Sequence, residues 1–277
     1  MAAIDIHYQC TQCGKCCHGL KIPLTVAESL SWLEDGNDVQ IVCEALFPDA
    51  DRTPSTGPPP ESANTTDAVI SAHFAARSFA ARTGATATRI VATLVANNVG
   101  ACANLRPDST CRIYERRPLV CRIYPAEINP SIQLKPENKA CPPEAWTPDR
   151  PLYARGGRLI NADLRENIQR WRATIARDVE VMRRICWALA VKDAGLHDEG
   201  LVIHAPPRGL LQAALSAAQP APDAAADDAA RDDWRLASDR PKRLADLRCS
   251  GALACDSREL APARMQYVGL RQRAAVA

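Results

Sequence analysis

Four cysteines fall within the eight residues CTQCGKCC, from Cys10 to Cys17. Cys10/Cys13 and Cys13/Cys16 both have the C-x-x-C spacing, in which a bend of the chain can turn two sulfurs toward one ion. Gly14 helps, because it takes positive φ without steric cost where the backbone must curl. Cys17 follows Cys16 directly and projects in another direction, whether the chain there is helical or extended. Four thiols so arranged do not fit one mononuclear site. They are expected to divide between sites, or to serve a multi-iron cluster together with distant cysteines.

Distant cysteines are present. CANLRPDSTCRIYERRPLVCRIYP supplies Cys102, Cys111 and Cys121, and ENKACPP supplies Cys141. Cys10, Cys13, Cys16, Cys17, Cys102, Cys111, Cys121 and Cys141 are thus eight candidate metal ligands, enough for two four-ligand sites or one multinuclear site. Structural zinc takes four ligands, and iron–sulfur cubanes also take four cysteines, so thiolate ligation alone does not separate the two. The close C-x-x-C-x-x-C run is analogous to ferredoxin-type ligation and puts an iron–sulfur cluster ahead of zinc. Metal binding displaces thiol protons and leaves an anionic centre. Lys15, Arg112, Arg116, Arg117 and Arg122 lie in the same segments and fit its neutralisation. His18 is not needed as a ligand, since the cysteines suffice.

The other cysteines read differently. Cys43 and Cys186 sit in apolar stretches and are expected to be small buried hydrophobes. Cys249 and Cys255 have a loose C-x₅-C spacing and are not taken as ligands. The five histidines are scattered, no Ser/His/Asp arrangement emerges, and no catalytic residue is assigned.

The rest of the chain sets the context for those thiols. Hydrophobic residues make up 47% of its 277 residues and charged residues 24%, the balance of a globular protein. Aromatics are only 5%, so aliphatic side chains must build most of the core. A net charge of +2 argues against nucleic-acid binding or a basic membrane-surface patch. The opening MAAIDIHYQC lacks the basic and apolar regions of a signal peptide, and no apolar run has the length of a membrane span. The expected setting is the reducing cytosol, where clustered cysteines are metal ligands rather than disulfides.

Local signals give the elements. Thr25 and Glu28 form a capping-box pattern at the head of an apolar helix ending near Glu34. Residues 48–66 are rich in Pro, Ser, Thr and Asp and read as a loop, and a weakly periodic helix follows over 67–82. TRIVATLVAN predicts a strand over 88–97, and LVIHA a short one over 201–205. Seven prolines between Cys102 and Pro143 favour turns and short strands. Leu164, Ile168, Trp171, Ile175, Val179, Met182, Ile185 and Leu189 recur at steps of three and four and predict one long amphipathic helix over about 162–191. The segment 219–233 is mostly Ala, Pro and Asp and reads as a disordered linker.

These signals add up to an α+β fold. A small mixed sheet from the 88–134 region should carry the cysteines on loops, flanked by helices that include the long C-terminal one. The expected organisation is a metal-binding domain over 1–145, a helical extension packing on it over 146–215, and a largely disordered tail over 216–277.

The combination of YQCTQCGKCCHGLKIPLT with CRIYERRPLVCRIYP resembles the zinc- or iron-chelating cysteine-cluster family, the YkgJ-type proteins, over roughly residues 8–143. Cys10, Cys13, Cys16 and Cys17, with Tyr114, Arg117, Pro118, Cys121, Arg122 and Pro125, carry the likeness. The resemblance implies metal chelation. Flagellin lysine N-methylases share the cysteine signature, which implies a protein lysine methyltransferase as an alternative, though no glycine-rich loop for a nucleoside cofactor accompanies it. A zinc-stabilised interaction module is a third reading, with a protein or small-molecule partner left open. Residues beyond Cys141 fall outside the likeness.

Overall fold

The run VQIVCEAL buries side chains on both of its faces, with Ile41, Cys43 and Ala45 on one and Val42 on the other. Burial on both faces marks a central strand. In the computed structural model, which describes residues 5–46, 72–98, 100–130, 132–218, 233–261 and 263–269, this strand is the centre of a nine-stranded mixed sheet. Ahead of it come β1 (Ile6–His7) and β2 (Ile22–Leu24), and the strand itself is β3 (Val39–Leu46). On one side of β3 lies β5 (Thr86–Ala96), paired antiparallel over eight residue pairs and flanked in turn by β4 (Phe79–Thr83) and β2. On the other side β8 (Asp193–Leu196) runs parallel to β3, followed by β10 (Arg235–Ser238) and β11 (Ala254–Asp256), also parallel. β9 (Gly200–His204) pairs with the start of β3 and with β12 (Met265–Gly269). A separate three-stranded sheet joins β1 to β6 (Leu152–Arg155) and β7 (Arg158–Leu159).

Helices cover the sheet. α1 (Val26–Glu34) begins at the predicted capping box: Thr25 Oγ1 accepts from Glu28 N, and Glu28 Oε2 accepts from Thr25 N at 2.9 Å. Of α2, residues 72–76 are described, and α3 (Leu119–Ile123) lies within the proline-rich stretch. The long helix α4 (Ala162–Ala188) is N-capped by Asn161. It serves two cores. Its first half puts Leu164, Ile168 and Trp171 against Tyr8, Leu119, Ile123 and Tyr153. Its second half puts Met182, Ile185 and Cys186 into the main core with Ile41, Leu94 and Leu196. α5 (Arg208–Ala217) adds Leu211 and Leu215 to that main core, and α6 (Pro241–Cys249) adds Leu247. Among the described residues, no helix is long and apolar enough to cross a membrane.

The mixed α/β class matches the sequence reading, but the sheet is larger than expected. It draws strands from Ile22 through Gly269, and only β5 comes from the 88–134 region. The turns expected over 102–143 are present, with 3-10 segments and α3, but the short strands are not: among the described residues there, a single Leu105–Cys111 bridge stands in their place. The expectation of loose order beyond about residue 216 fails over 233–261. There, short β10 and β11 extend the parallel side of the sheet, and Trp234, Leu236 and Leu247 are buried in the main core. The loop over 48–66, the start of the 67–82 helix and the linker over 219–232 lie outside the described residues.

Candidate metal centre

Two irregular segments meet beside β2 and α1. In the first, Gly14 takes φ 70° and starts a 3-10 turn over Lys15–Cys17. A Cβ at Gly14 would come within 2.7 Å of the Ser109 carbonyl oxygen, so the curl and the close approach both require glycine. In the second, Cys102 N donates to Cys17 O at 2.7 Å, and bridges join His18 to Ala101 and Leu105 to Cys111. These backbone contacts bring Cys17, Cys102 and Cys111 together. α3 carries Cys121 in, and Cys141 arrives where Tyr8 Oη stands 3.6 Å from its Sγ.

One cavity results, with a volume of about 150 Å³, and all eight candidate cysteines line it. One water needs only about 10–15 Å³ by the same measure, so the space far exceeds what a single ion occupies. Among the described residues, neither an acid nor a histidine is in the lining. The thiols stand along the wall rather than converging: among the described residues, no three His, Cys, Asp or Glu side chains have the geometry of a closed ion site.

Electrostatic proximity sorts the thiols. Burial pushes the Cys121 thiol up to about 12, and the charges of Cys102, Cys17 and Cys111 add to the rise while Arg117 opposes it. Cys102 is raised by burial, opposed by the Asn104 backbone N–H, and raised further by Cys17 and Cys111. Cys141 is raised by burial, relieved by hydrogen bonds from Tyr8 and Tyr124, and raised again by Cys10 and Cys13. Cys16 and Cys17 share a hydrogen bond. It raises Cys16, whose other charged neighbours include Cys121 and Cys141. It lowers Cys17 to about 7, with burial opposing and Arg117 assisting. Two neighbourhoods emerge. The charges of Cys17 and Cys111 reach both Cys102 and Cys121, those of Cys10 and Cys13 reach Cys141, and Cys16 hydrogen-bonds Cys17 while feeling Cys121 and Cys141.

The surroundings suit thiolates. Trp32 Nε1, Asn104 Nδ2 and Arg117 Nε belong to lining residues, and each is a buried N–H without a hydrogen-bond partner. The Asn104 amide is oriented by its Oδ1, which accepts from Arg112 Nη2 at 3.0 Å, so its Nδ2 is a true donor. Unsatisfied donors and no acids around a thiol cavity fit an anionic thiolate centre.

Of the cations expected nearby, Arg117 lines the cavity and stacks on Tyr114, its guanidinium 3.9 Å from the ring centre. Arg112 acts one step away, through Asn104. Arg116 instead pairs with Asp35, and Arg122 donates to the carbonyls of Arg117 and Glu115. Lys15 and His18 do not line the cavity, whereas Lys21 does. Sequence reasoning missed Lys21, Trp32, Asn104, Tyr8 and Tyr124. Trp32 lies outside the cysteine motifs; the other four lie within the quoted stretches, but nothing in the cysteine spacing marks them, and only the fold shows that they face the cavity. Cys43 and Cys186 are buried together in the main core, Cys255 is buried in a small cluster by β10, and Cys249 is exposed.

Eight thiols with flanking cations and no carboxylate define a soft-donor site, the kind suited to zinc or iron–sulfur centres. Residues 62–142 match the family model described as "CxxCxxCC: Putative zinc- or iron-chelating domain". The match covers less than a third of the chain. It includes Cys102, Cys111, Cys121 and Cys141 but begins after the C-x-x-C-x-x-C-C run at Cys10–Cys17. Neither the curated proteins nor the solved structures contain a significant match to this chain.

Proposed function

We propose that this protein binds an iron–sulfur cluster or zinc in the cysteine cavity, through two sets of four thiolates. Cys17, Cys102, Cys111 and Cys121 make one set, and Cys10, Cys13, Cys16 and Cys141 the other. The observation that carries this reading is the single cavity lined by all eight thiols, together with buried N–H groups that have no acceptor. Side-chain rotation closes the thiolates on the bound metal, and proton release accompanies binding. When bound, the metal supplies either structural cross-linking or, as an iron–sulfur centre, electron transfer.

Iron–sulfur stands ahead of zinc because the cavity is larger than one ion needs. Zinc is the second reading, supported by the wording of the matched family. Metal analysis and a visible absorption spectrum of anaerobically purified protein test both. Iron with sulfide-to-iron charge-transfer bands supports the first. A colourless protein with stoichiometric zinc replaces it with the second, and protein free of both metals contradicts the proposal.

A further inference from the structure

A second pocket, of about 250 Å³, opens between α2 and α4, away from the cysteines in sequence. His73, Ala76 and Arg77 line it from the α2 side, and Trp171, Arg172 and Ile175 from α4. Among the described residues, no carboxylate is in its lining. Among the described residues, Arg77 Nε, Arg172 Nε and Trp171 Nε1 in this lining are buried N–H groups without an acceptor. Trp171 itself is only 1% exposed.

The arginines are held by weak partners. Arg77 Nη2 donates to Thr93 Oγ1 at 3.1 Å, and its Nη1 lies 3.5 Å from His73 Nε2. Arg172 Nη2 donates to the Ile128 carbonyl at 3.1 Å. The carboxylate whose field reaches Arg77 is that of Glu44, which is engaged with His197 at 2.5 Å. Burial, then the charges of Arg77 and Arg172, hold His73 down at about 4. At neutral pH the pocket therefore has two guanidinium charges, a neutral imidazole and a buried indole N–H. Burying cations and donors without acceptors is unfavourable unless an anion completes them.

We propose that this pocket binds a small oxyanion, a phosphate or carboxylate group, held by Arg77 and Arg172 with Trp171 and His73 as further donors. Planar guanidinium groups suit both kinds of oxyanion. The assignment is independent of the metal reading.

Calorimetric titration of the full chain at pH 7 tests it. Sodium phosphate and sodium acetate are used in separate arms, each against a sodium chloride control of equal ionic strength. Saturable binding of one ion per chain, beyond chloride, is the expected result, and the arm that binds identifies phosphate or carboxylate as the source. Arg172→Gln should weaken that binding by about tenfold or more, the loss expected of one charge-assisted contact. Ala76→Glu places a carboxylate from an exposed helical position at the pocket wall and should abolish binding while raising the thermal midpoint. It decides the matter if Arg172→Gln fails to fold. Absence of saturable binding in both arms overturns the proposal, as does binding that survives Ala76→Glu undiminished.

Discussion

Between β3 and β5, eight consecutive residue pairs stand in register, and most of their side chains are buried. The stretch from Ala101 to Trp146 is built differently. It contains one five-residue helix, three 3-10 turns and isolated bridges, and its apolar side chains belong mostly to the smaller second core. Ladder hydrogen bonds and aliphatic burial hold the sheet. The cysteine segment has few of either, and it carries a cavity where a core would otherwise be. A region with few ladder bonds and little aliphatic burial is expected to open locally before the sheet does.

Metal removal should widen this contrast most. Structural zinc contributes apparent binding free energies of about 10–16 kcal/mol in small folds. Metal-loaded protein treated with a strong chelator should become open to protease cleavage within 101–146. The strand signal in circular dichroism should persist, because the backbone ladders that hold the sheet do not run through the cavity cysteines. Simultaneous collapse of both regions would break the comparison.

The two halves of α4 sharpen it. Trp171→Ala, in the second core, should cost about 3–5 kcal/mol in urea unfolding and lower metal retention. Ile185→Ala, in the main core that also holds Cys102, should cost about 2–5 kcal/mol. A smaller effect is expected at Glu28, which ties the regions together. Its Oε2 completes the α1 capping box, and its Oε1 accepts from Leu119 N at 2.7 Å, at the start of the helix that carries Cys121. Glu28→Ala should destabilise by about 1–2 kcal/mol and speed metal loss to a chelator.

The smallest effect is one of pH, on the sheet side. His204 is buried with Nε2 2.7 Å from the Asp193 carbonyl oxygen. Burial lowers its pKa, and the contact with Asp193 offsets only part of that. Its stabilising contribution is complete above the unfolded-state value of about 6.5. It fades as pH falls toward the lowered folded value, because the unfolded chain binds the proton first. Thermal midpoints should therefore drop between pH 7.5 and 5.5, and His204→Gln should flatten that dependence.

Much of this contrast was legible in the residues, unevenly. α1, β5 and α4 carried strong local signals: a capping box, a β-branched run and an apolar stripe over seven turns. The C-terminal side of the sheet did not. β10 and β11 span four and three residues, and β10 is buried on both faces, so no alternation marks it. Their parallel partners lie far off in the chain, beyond the reach of any local pattern. At the cavity, the spacing of Cys10–Cys17 excluded one mononuclear site and left two sites or one multinuclear cluster open. Trp32 reaches the cavity on α1 and Lys21 just ahead of β2, and the cysteine spacing marks neither of them.

The division of the eight thiols into two sets is tested most directly by counting metal per chain in anaerobically prepared Cys13→Ala, Cys111→Ala and the double variant. Two four-thiolate centres predict that each single variant keeps about half of the wild-type metal and that the double variant keeps none. If either single substitution empties the protein completely, or if neither changes its metal content, the two-set account is contradicted.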